Sequence, residues 1–195
     1  MGKSKRQSKY QESEKSIENR KNCKKASCSN KYRKTNEKIK KAQKERLSKT
    51  DLIILLKDFP NFLGCFASDS LKNLSIQNFP VFLIVNFDIS TQPGSHWVAI
   101  RFGKFTLEIF DSLGFYPKLW DNYPIHLFKF LSRYSLSHKF YFSPILQPGN
   151  TFTCGLFSVY FIVYRQKLSF SEFISKFYKN LSLNNSKLFY LLLNY

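Results

Sequence analysis

The stretch QPGNTFTCG, residues 147–155, runs directly into the apolar segment LFSVYFIVY, residues 156–164. Pro, Gly and Asn in the first stretch are typical of a loop. The second is long enough for about three helical turns and is apolar on every side, which indicates a helix buried in a core. Because Cys154 lies at the junction, the sequence predicts a thiol at the N-terminus of a buried helix.

A thiol in that position lies near unpaired backbone N–H groups and the positive end of the helix dipole, which favour an anion. In such surroundings a cysteine becomes a thiolate nucleophile. The alternative is a structural cysteine, since free Cys is among the most buried residue types. Cys65 has no such helix start beside it, and we expect it in the core.

Charge divides the chain of 195 residues into two parts. Residues 1–50 hold 18 of the 31 Lys and Arg residues but only 5 of the 13 Asp and Glu residues, and they contain few large apolar side chains. Such a segment cannot bury enough apolar surface to fold alone. We therefore expect a basic, flexible arm over 1–50 and one compact domain over 51–195, which is large enough to form a core.

Repeated basic clusters in the arm predict electrostatic attachment to nucleic acid or a nuclear import signal. The alternative is a solvated tail without a partner. A marginal helix is expected over 35–49, where few apolar residues are present to dock it. The candidate nucleic-acid-binding residues are Lys3, Lys5, Arg6, Lys24, Lys25, Arg33 and Lys34.

Membrane attachment and secretion find no support in the sequence. No apolar run is long enough to span a bilayer, the N-terminus lacks the apolar core of a signal peptide, and Arg6 stands where a myristoylation signal has Ser or Thr. Four cysteines in such a chain indicate free thiols in a reducing compartment. Cys23 and Cys28 resemble half of a zinc site, but no second Cys or His pair follows nearby, so we predict no metal site.

Helix and strand signals are mixed over 51–195, which favours an α+β domain over a doubly wound parallel sheet. The predicted elements are a helix capped by Asp51 and running through Leu56, a turn-containing segment at 61–66, a buried strand at 81–86, paired strands at 96–102 and 105–110, a helix over 124–134, a short strand at 139–142, the helix of Cys154, a helix capped by Ser169 or Ser171 and running through Tyr178, and one capped by Asn184 or Asn185 and running through Leu193.

The paired strands bring a histidine next to an acid. The turn Gly103-Lys104 predicts a two-residue hairpin in which Phe102 faces Phe105. Counting outward from that pair, His96 faces Asp111, with their Cβ atoms about 5 Å apart. An imidazole beside a carboxylate is what a general base and its orienting group require.

The other two histidines lack such a partner. His126 lies inside a helical pattern and His138 at the start of a strand, and we expect both to be structural or surface groups.

These motifs resemble those of the adenovirus-type maturation proteases (adenain) and of similar proteases in Polinton and virophage elements. The resemblance extends more distantly to the Ulp1-type SUMO proteases of the same clan, and it covers about residues 55–165. The residues that carry it are His96-Trp97, the acid in Phe110-Asp111-Ser112-Leu113-Gly114, Gln147, Asn150, Cys154-Gly155-Leu156-Phe157 and, near the start, Asn61-Phe62-Leu63-Gly64.

The resemblance implies an α+β fold in which helices pack on a mixed or antiparallel central sheet and the catalytic Cys opens the buried central helix. It implies that Cys154 is the nucleophile, that His96 takes its proton and that Asp111 holds the ring. Gln147 would donate to the oxyanion hole with the backbone N–H of Cys154, a role that contributes about 10²–10³ in rate. Trp97 and Asn150 are the candidate substrate-binding residues.

The resulting prediction is a thiol endopeptidase that matures capsid or core precursors of a DNA virus or virus-like element. Its substrate would be an extended peptide with small residues, Gly above all, near the cut. The first alternative is a SUMO or ubiquitin-like isopeptidase of the deubiquitinase type that uses the same residues on host conjugates. The second is a basic nucleic-acid-binding protein whose protease-like domain is inactive, against which the intact set of four residues argues.

The resemblance also bears on cofactors and partners. The chemistry needs no cofactor, but family likeness makes DNA a candidate activator, bound through the basic arm. Adenain is activated by a peptide tethered through a cysteine before the Gln, and the region around Leu136 has no Cys, which argues against such a tether here. We expect a monomer without a membrane partner, located in the virion and in the host nucleus or a cytoplasmic virus factory.

Overall fold

The computed structural model describes residues 37, 45–114 and 123–193, and the elements named below belong to the unit formed by residues 39–195. In chain order these elements are α1 (Lys49–Leu56), β1 (Phe62–Ala67), a 3-10 helix (Ser68–Asn73), β2 (Val81–Asn86), β3 (Trp97–Phe102), β4 (Thr106–Phe110), α2 (Ile125–Ser132), β5 (Lys139–Phe142), α3 (Cys154–Tyr164), α4 (Phe170–Ile174) and α5 (Ser182–Leu193).

Several predictions fall outside the described residues. They are the candidate nucleic-acid-binding residues of the arm, the half zinc site of Cys23 and Cys28, and most of the marginal helix over 35–49. The division of the chain at residue 50 stays a prediction.

A five-stranded sheet forms the centre of the domain, in the order β1-β2-β3-β4-β5. The two outer pairs, β1–β2 and β4–β5, are parallel, and the inner pairs are antiparallel. This mixed sheet with its helices confirms the predicted α+β class. Residues 61–66 were predicted to contain a turn. Asn61 (φ 62°) and Gly64 (φ 135°) do have positive φ, but the edge strand β1 begins directly after Asn61 and continues through Gly64.

The sheet separates two apolar clusters, and alternate residues of β2 belong to each. Phe82 and Ile84 pack in the cluster that contains α3, and Leu83 and Val85 in the cluster that contains α2. Because both faces of β2 are covered, its residues 82–86 are all buried, as predicted for this strand.

α3 is buried from its first residue, Cys154, to Val163, which confirms the predicted buried helix and its start. Phe161 in this helix stacks on Phe110 of β4, with ring centroids 4.8 Å apart. Near the helix start, a Cβ added to Gly155 would lie 3.1 Å from the Cβ of Leu47. The segment before α1 is therefore packed tightly against the beginning of α3.

The far end of α3 is held by a buried ion network. Glu108 of β4 is 4% exposed, and its carboxylate accepts hydrogen bonds from Arg165 at 2.6 and 2.7 Å and from Arg101 at 2.9 Å. A buried carboxylate is costly unless it is paired and hydrogen-bonded, and two guanidinium groups meet that requirement here. α3 is thus fixed to the domain at both of its ends.

The β3–β4 hairpin has a different register from the predicted one. Phe102 lies opposite Leu107, whereas the predicted partner was Phe105. The connection over 103–105 is longer than the predicted two-residue turn. A shift by two residues, an even number, leaves every side chain on its predicted face of the sheet. Asp111 therefore lies diagonally across from His96 instead of directly opposite, a distance that side chains can still bridge.

Helix boundaries also correct the sequence prediction. Ser48, not Asp51, is the N-cap of α1: its hydroxyl oxygen accepts from the N–H of Asp51 at 3.2 Å, and the Asp51 carboxylate accepts from the N–H of Ser48, which forms a capping box. Ser169 caps α4 as predicted, but α4 ends at Ile174 rather than at Tyr178.

α5 begins at Ser182, so Asn184 and Asn185 lie inside the helix rather than capping it. The buried side chain of Asn184 instead accepts from the N–H of Tyr178 and donates to the carbonyl of Leu146 at 2.9 Å. None of the described helices is both long and apolar enough to cross a membrane.

Candidate active site

Cys154 is the first residue of α3, and Thr153 is the N-cap. Its side chain is buried, and the backbone N–H groups of Trp97 and Gly155 donate to the sulfur. Burial opposes ionisation of the thiol. The hydrogen bond and charge of His96, together with the two N–H groups, outweigh burial and lower the pKa of Cys154 below its ordinary value.

The ring of His96 lies between the thiol and a carboxylate. Its Nε2 is 2.8 Å from Oδ1 of Asp111, and its other nitrogen, Nδ1, is left for the hydrogen bond with Cys154. Burial would lower the pKa of His96, but the hydrogen bonds with Asp111 and Cys154 and the charges of both groups raise it to about 9. A lowered thiol pKa and a raised imidazole pKa favour a thiolate–imidazolium pair at neutral pH.

Asp111 is fixed through both its main chain and its carboxylate. The Ser143 hydroxyl accepts from the N–H of Asp111 at 2.9 Å and donates to its carbonyl at 2.6 Å. The N–H of Leu113 donates to Oδ1 at 2.9 Å, the same oxygen that meets His96. These contacts determine the direction from which the carboxylate approaches the ring.

Gln147 is buried, and both ends of its side-chain amide are held. Its Oε1 accepts from the Ser112 hydroxyl at 2.7 Å, and its Nε2 donates to the carbonyl of Thr151 at 2.8 Å. An amide NH₂ carries two hydrogens, and the contact with Thr151 uses only one of them. Gln147 is in this way connected to the residue after Asp111 and to the loop that leads into Cys154.

The two predicted substrate-binding residues differ in their exposure. Trp97 is 9% exposed, and its indole N–H donates to the carbonyl of Leu47 at 2.8 Å. Asn150 is exposed in the turn before α3. The structure thus brings Cys154, His96 and Asp111 into direct contact, whereas substrate binding by Trp97 and Asn150 stays a prediction.

A cavity of about 520 Å³ adjoins the Cys154 thiol. Arg46 lines this cavity, and its guanidinium lies 4.9 Å from the ring of Phe152 and 3.5 Å from the carbonyl of Gly94. Clefts of this kind beside a reactive group are where substrates bind. The lining residues are Arg46, Leu47, Ser48, Lys49, Ala67, Ser70, Asn86, Asp88, Ile89, Ser90, Gln92, Pro93, Gly94, Ser95, Trp97 and Cys154.

The remaining Cys and His residues of the described chain lie elsewhere. Cys65 is buried in the core, and burial raises its pKa to about 12, so this thiol is inert where Cys154 is activated. His126 is exposed on α2, and His138 packs among aromatic rings and lies 2.9 Å from the Ser137 hydroxyl. Within residues 45–114 and 123–193, no group of three or more His, Cys, Asp and Glu residues forms a candidate metal site.

Sequence reasoning missed the serines that hold the site. Ser112 and Ser143 contact Gln147 and Asp111, and both are buried polar residues. A signal was present for Ser112, because it directly follows the predicted acid. No local pattern marks Ser143, whose partner is 32 residues away in the chain.

The chain matches a known family over most of this domain. A family profile described as the adenovirus endoprotease matches residues 62–187, a range that includes His96, Asp111, Gln147 and Cys154. This match confirms the family predicted from the motifs. No curated protein matches the chain.

Among solved structures, the chain is similar to a protease of ASFV, with 23% sequence identity and a TM-score of 0.38 over 57% of this chain and 43% of that one. It is also similar to the SUMO protease Ulp1 with its catalytic cysteine oxidised to a sulfinic acid, with 16% identity and a TM-score of 0.42 over 83% of this chain and 94% of that one. The chain therefore spans less than half the length of the ASFV protease.

Proposed function

The chain belongs to the adenovirus endoprotease family and is a cysteine protease, and from this premise we propose that it cleaves peptide bonds by attack of Cys154 with His96 and Asp111 as catalytic partners. The observation that carries the proposal is the series of contacts from the Cys154 thiol through the His96 ring to the Asp111 carboxylate, at the N-terminus of a buried helix. That series joins a nucleophile, a base and an orienting acid.

In this reaction the Cys154 thiolate attacks the carbonyl carbon of the scissile bond. His96 gives its proton to the leaving amine, and it then takes a proton from the water that hydrolyses the acyl-enzyme. A pKa of about 9 supports the first of these roles, since the ring holds its proton at neutral pH. Asp111 keeps the ring oriented and stabilises its positive charge.

The oxyanion that forms on the substrate would be stabilised by Gln147 and by the backbone N–H of Cys154. Support comes from the buried Gln147 amide, whose oxygen is held by Ser112 while Thr151 uses one of the two amide hydrogens. Donors that are fixed before the reaction stabilise developing charge at little reorganisation cost.

The substrate is an extended peptide with small residues, Gly above all, near the cut. The cavity beside Cys154 supports a binding cleft on this side of the thiol, and Trp97 lines it. Asn150, exposed in the turn that precedes α3, is proposed as a second contact to the substrate.

Family membership supports a role in a virus or virus-like element. The proposed substrates are capsid or core precursors, cleaved in the maturing particle and in the host nucleus or a cytoplasmic virus factory. DNA is the proposed activator, attached through the basic residues of the first fifty positions, whose net charge of +13 favours a polyanion.

Coexpression with the capsid precursor of the same genome, followed by mass spectrometry of the fragments, tests the proposal. The wild-type chain should release defined fragments, Cys154→Ala should release none, and Cys65→Ala, which removes the other described thiol, should process normally if it folds. Processing that survives Cys154→Ala would refute the assignment. Cleavage of a SUMO or ubiquitin conjugate, with the capsid precursor left intact, would favour an isopeptidase instead.

A further inference from the structure

Ser112 directly follows Asp111 and contacts the segment of Gln147 three times. Its carbonyl accepts from the backbone N–H groups of Leu146 at 2.9 Å and of Gln147 at 2.8 Å. Its hydroxyl donates to Oε1 of Gln147 at 2.7 Å, and both side chains are about 1% exposed. A single residue therefore connects the end of the acid's strand with the candidate oxyanion donor.

The orientation of the Gln147 amide follows from its two neighbours. The Thr151 carbonyl is an acceptor only, so the NH₂ end of the amide must face it. The oxygen end then faces Ser112, whose hydroxyl has to be the donor. Without that hydroxyl, the terminal torsion of Gln147, which is intrinsically broad, would lose one of its two restraints, and a buried acceptor would be left without this partner.

We propose that Ser112 is a positioning residue for the cleavage reaction: it fixes the Gln147 amide so that the amide hydrogen not used by Thr151 is available to the oxyanion. This inference rests on the proposed function of Gln147. Ser112 touches no reacting atom, and its effect on the reaction passes through Gln147 alone. The two backbone hydrogen bonds of Ser112 remain when its hydroxyl is removed, so the segment itself should keep its position.

Kinetics of Ser112→Ala on a fluorogenic peptide that ends in Gly-Gly-aminomethylcoumarin test the catalytic consequence. We expect kcat to fall about threefold to tenfold, the range of one hydrogen bond, with KM unchanged. Alkylation of Cys154 by iodoacetamide should keep its wild-type rate, because this reaction forms no oxyanion. In a Gln147→Ala background, Ser112→Ala should cause no further loss.

Ser143→Ala is the matched control. It also removes a buried serine hydroxyl, but one that holds Asp111 rather than Gln147. Its effect should therefore add to that of Gln147→Ala and should change the pH dependence of Cys154 alkylation. The inference is overturned if Ser112→Ala behaves as this control does, or if its kcat equals that of the wild type.

NMR separates the inference from the proposed function. With ¹⁵N-labelled glutamine, the Gln147 side-chain NH₂ is assigned by its absence in Gln147→Ala, and its hydrogen exchange is followed in the wild type and in Ser112→Ala. Faster exchange in Ser112→Ala supports positioning, and unchanged exchange overturns it. A wild-type chain that cleaves no peptide would refute the proposed function, while the exchange measurement would still decide the role of Ser112.

Discussion

Replacing Asp111 by Asn removes one negative charge and leaves the side chain nearly the same shape. In the wild type, Oδ1 lies 2.8 Å from Nε2 of His96, and both side chains are buried. An opposite charge at this distance shifts a pKa by about 1–3 units, so we expect the pKa of His96 to fall from about 9 to roughly 6–8 in Asp111→Asn. The ring would then lose its proton near neutral pH.

The change in His96 has a consequence for Cys154, because the imidazolium is part of what lowers the pKa of the thiol. When the ring is neutral, the thiolate loses that stabilisation and its pKa rises. The thiolate and the imidazolium therefore coexist over a narrower pH range, whose upper limit falls from near pH 9 to a lower pH. Between pH 7 and 8, each unit of lost pKa reduces the population of the ion pair by up to tenfold.

The assay is the rate of Cys154 alkylation by iodoacetamide across pH, resolved by peptide mass spectrometry, together with an NMR titration of His96, one of only three histidines. Asp69→Asn is the matched control, since its exposed carboxylate binds Ser90 at 2.7 Å and the substitution is chemically the same. The expected outcome is a lower pH for the loss of the His96 proton in Asp111→Asn, with a matching shift in the pH dependence of the alkylation rate. An unchanged pH for these transitions in Asp111→Asn, or an equal shift in Asp69→Asn, would refute this prediction.

Two predictions concern stability and are best measured by urea unfolding in a Cys154→Ala background. Phe161→Ala, which removes a buried ring stacked on Phe110, should lower the free energy of unfolding by about 3–5 kcal/mol, and a loss below about 1 kcal/mol would contradict the packing of α3. Glu108→Ala should cost about 3–5 kcal/mol, because it leaves the buried guanidinium of Arg165 without its carboxylate. An effect of the size of an exposed ion pair, under about 1 kcal/mol, would show that this network is solvated.

The contact between His96 and Asp111 could be predicted although the turn between their strands was misread. Side chains alternate along a strand with a period of two, so an error of two residues in the hairpin left both residues on the same face and at the same edge of the sheet. An error of one residue would have placed them on opposite faces. The buried helix of Cys154 was predictable for a different reason, since apolar residues on every side of a helix leave it no exposed face.

Other features depended on contacts between distant parts of the chain. The segment 61–66 forms a strand because it pairs in parallel with β2, and a parallel partner is not visible in local sequence. Ser48 and Asp51 are both good N-cap residues. Ser48 is the N-cap because the two residues form a capping box in which Asp51 occupies the third helical position. Ser112 binds a side chain 35 residues away, so no periodicity could predict that bond.

α3 is packed along almost its whole length and is held at its two ends by Leu47 and Glu108, so Cys154 lies on a tightly packed helix. Another part of the cavity lining differs: residues 89–93 are exposed, and Ile89, Ser90, Gln92 and Pro93 line the cavity without contributing to either apolar cluster. The packing around Cys154 and the shape of this part of the cavity are therefore set by separate stretches of chain. An engineer who seeks a new cleavage preference should randomise that loop and leave the helix untouched.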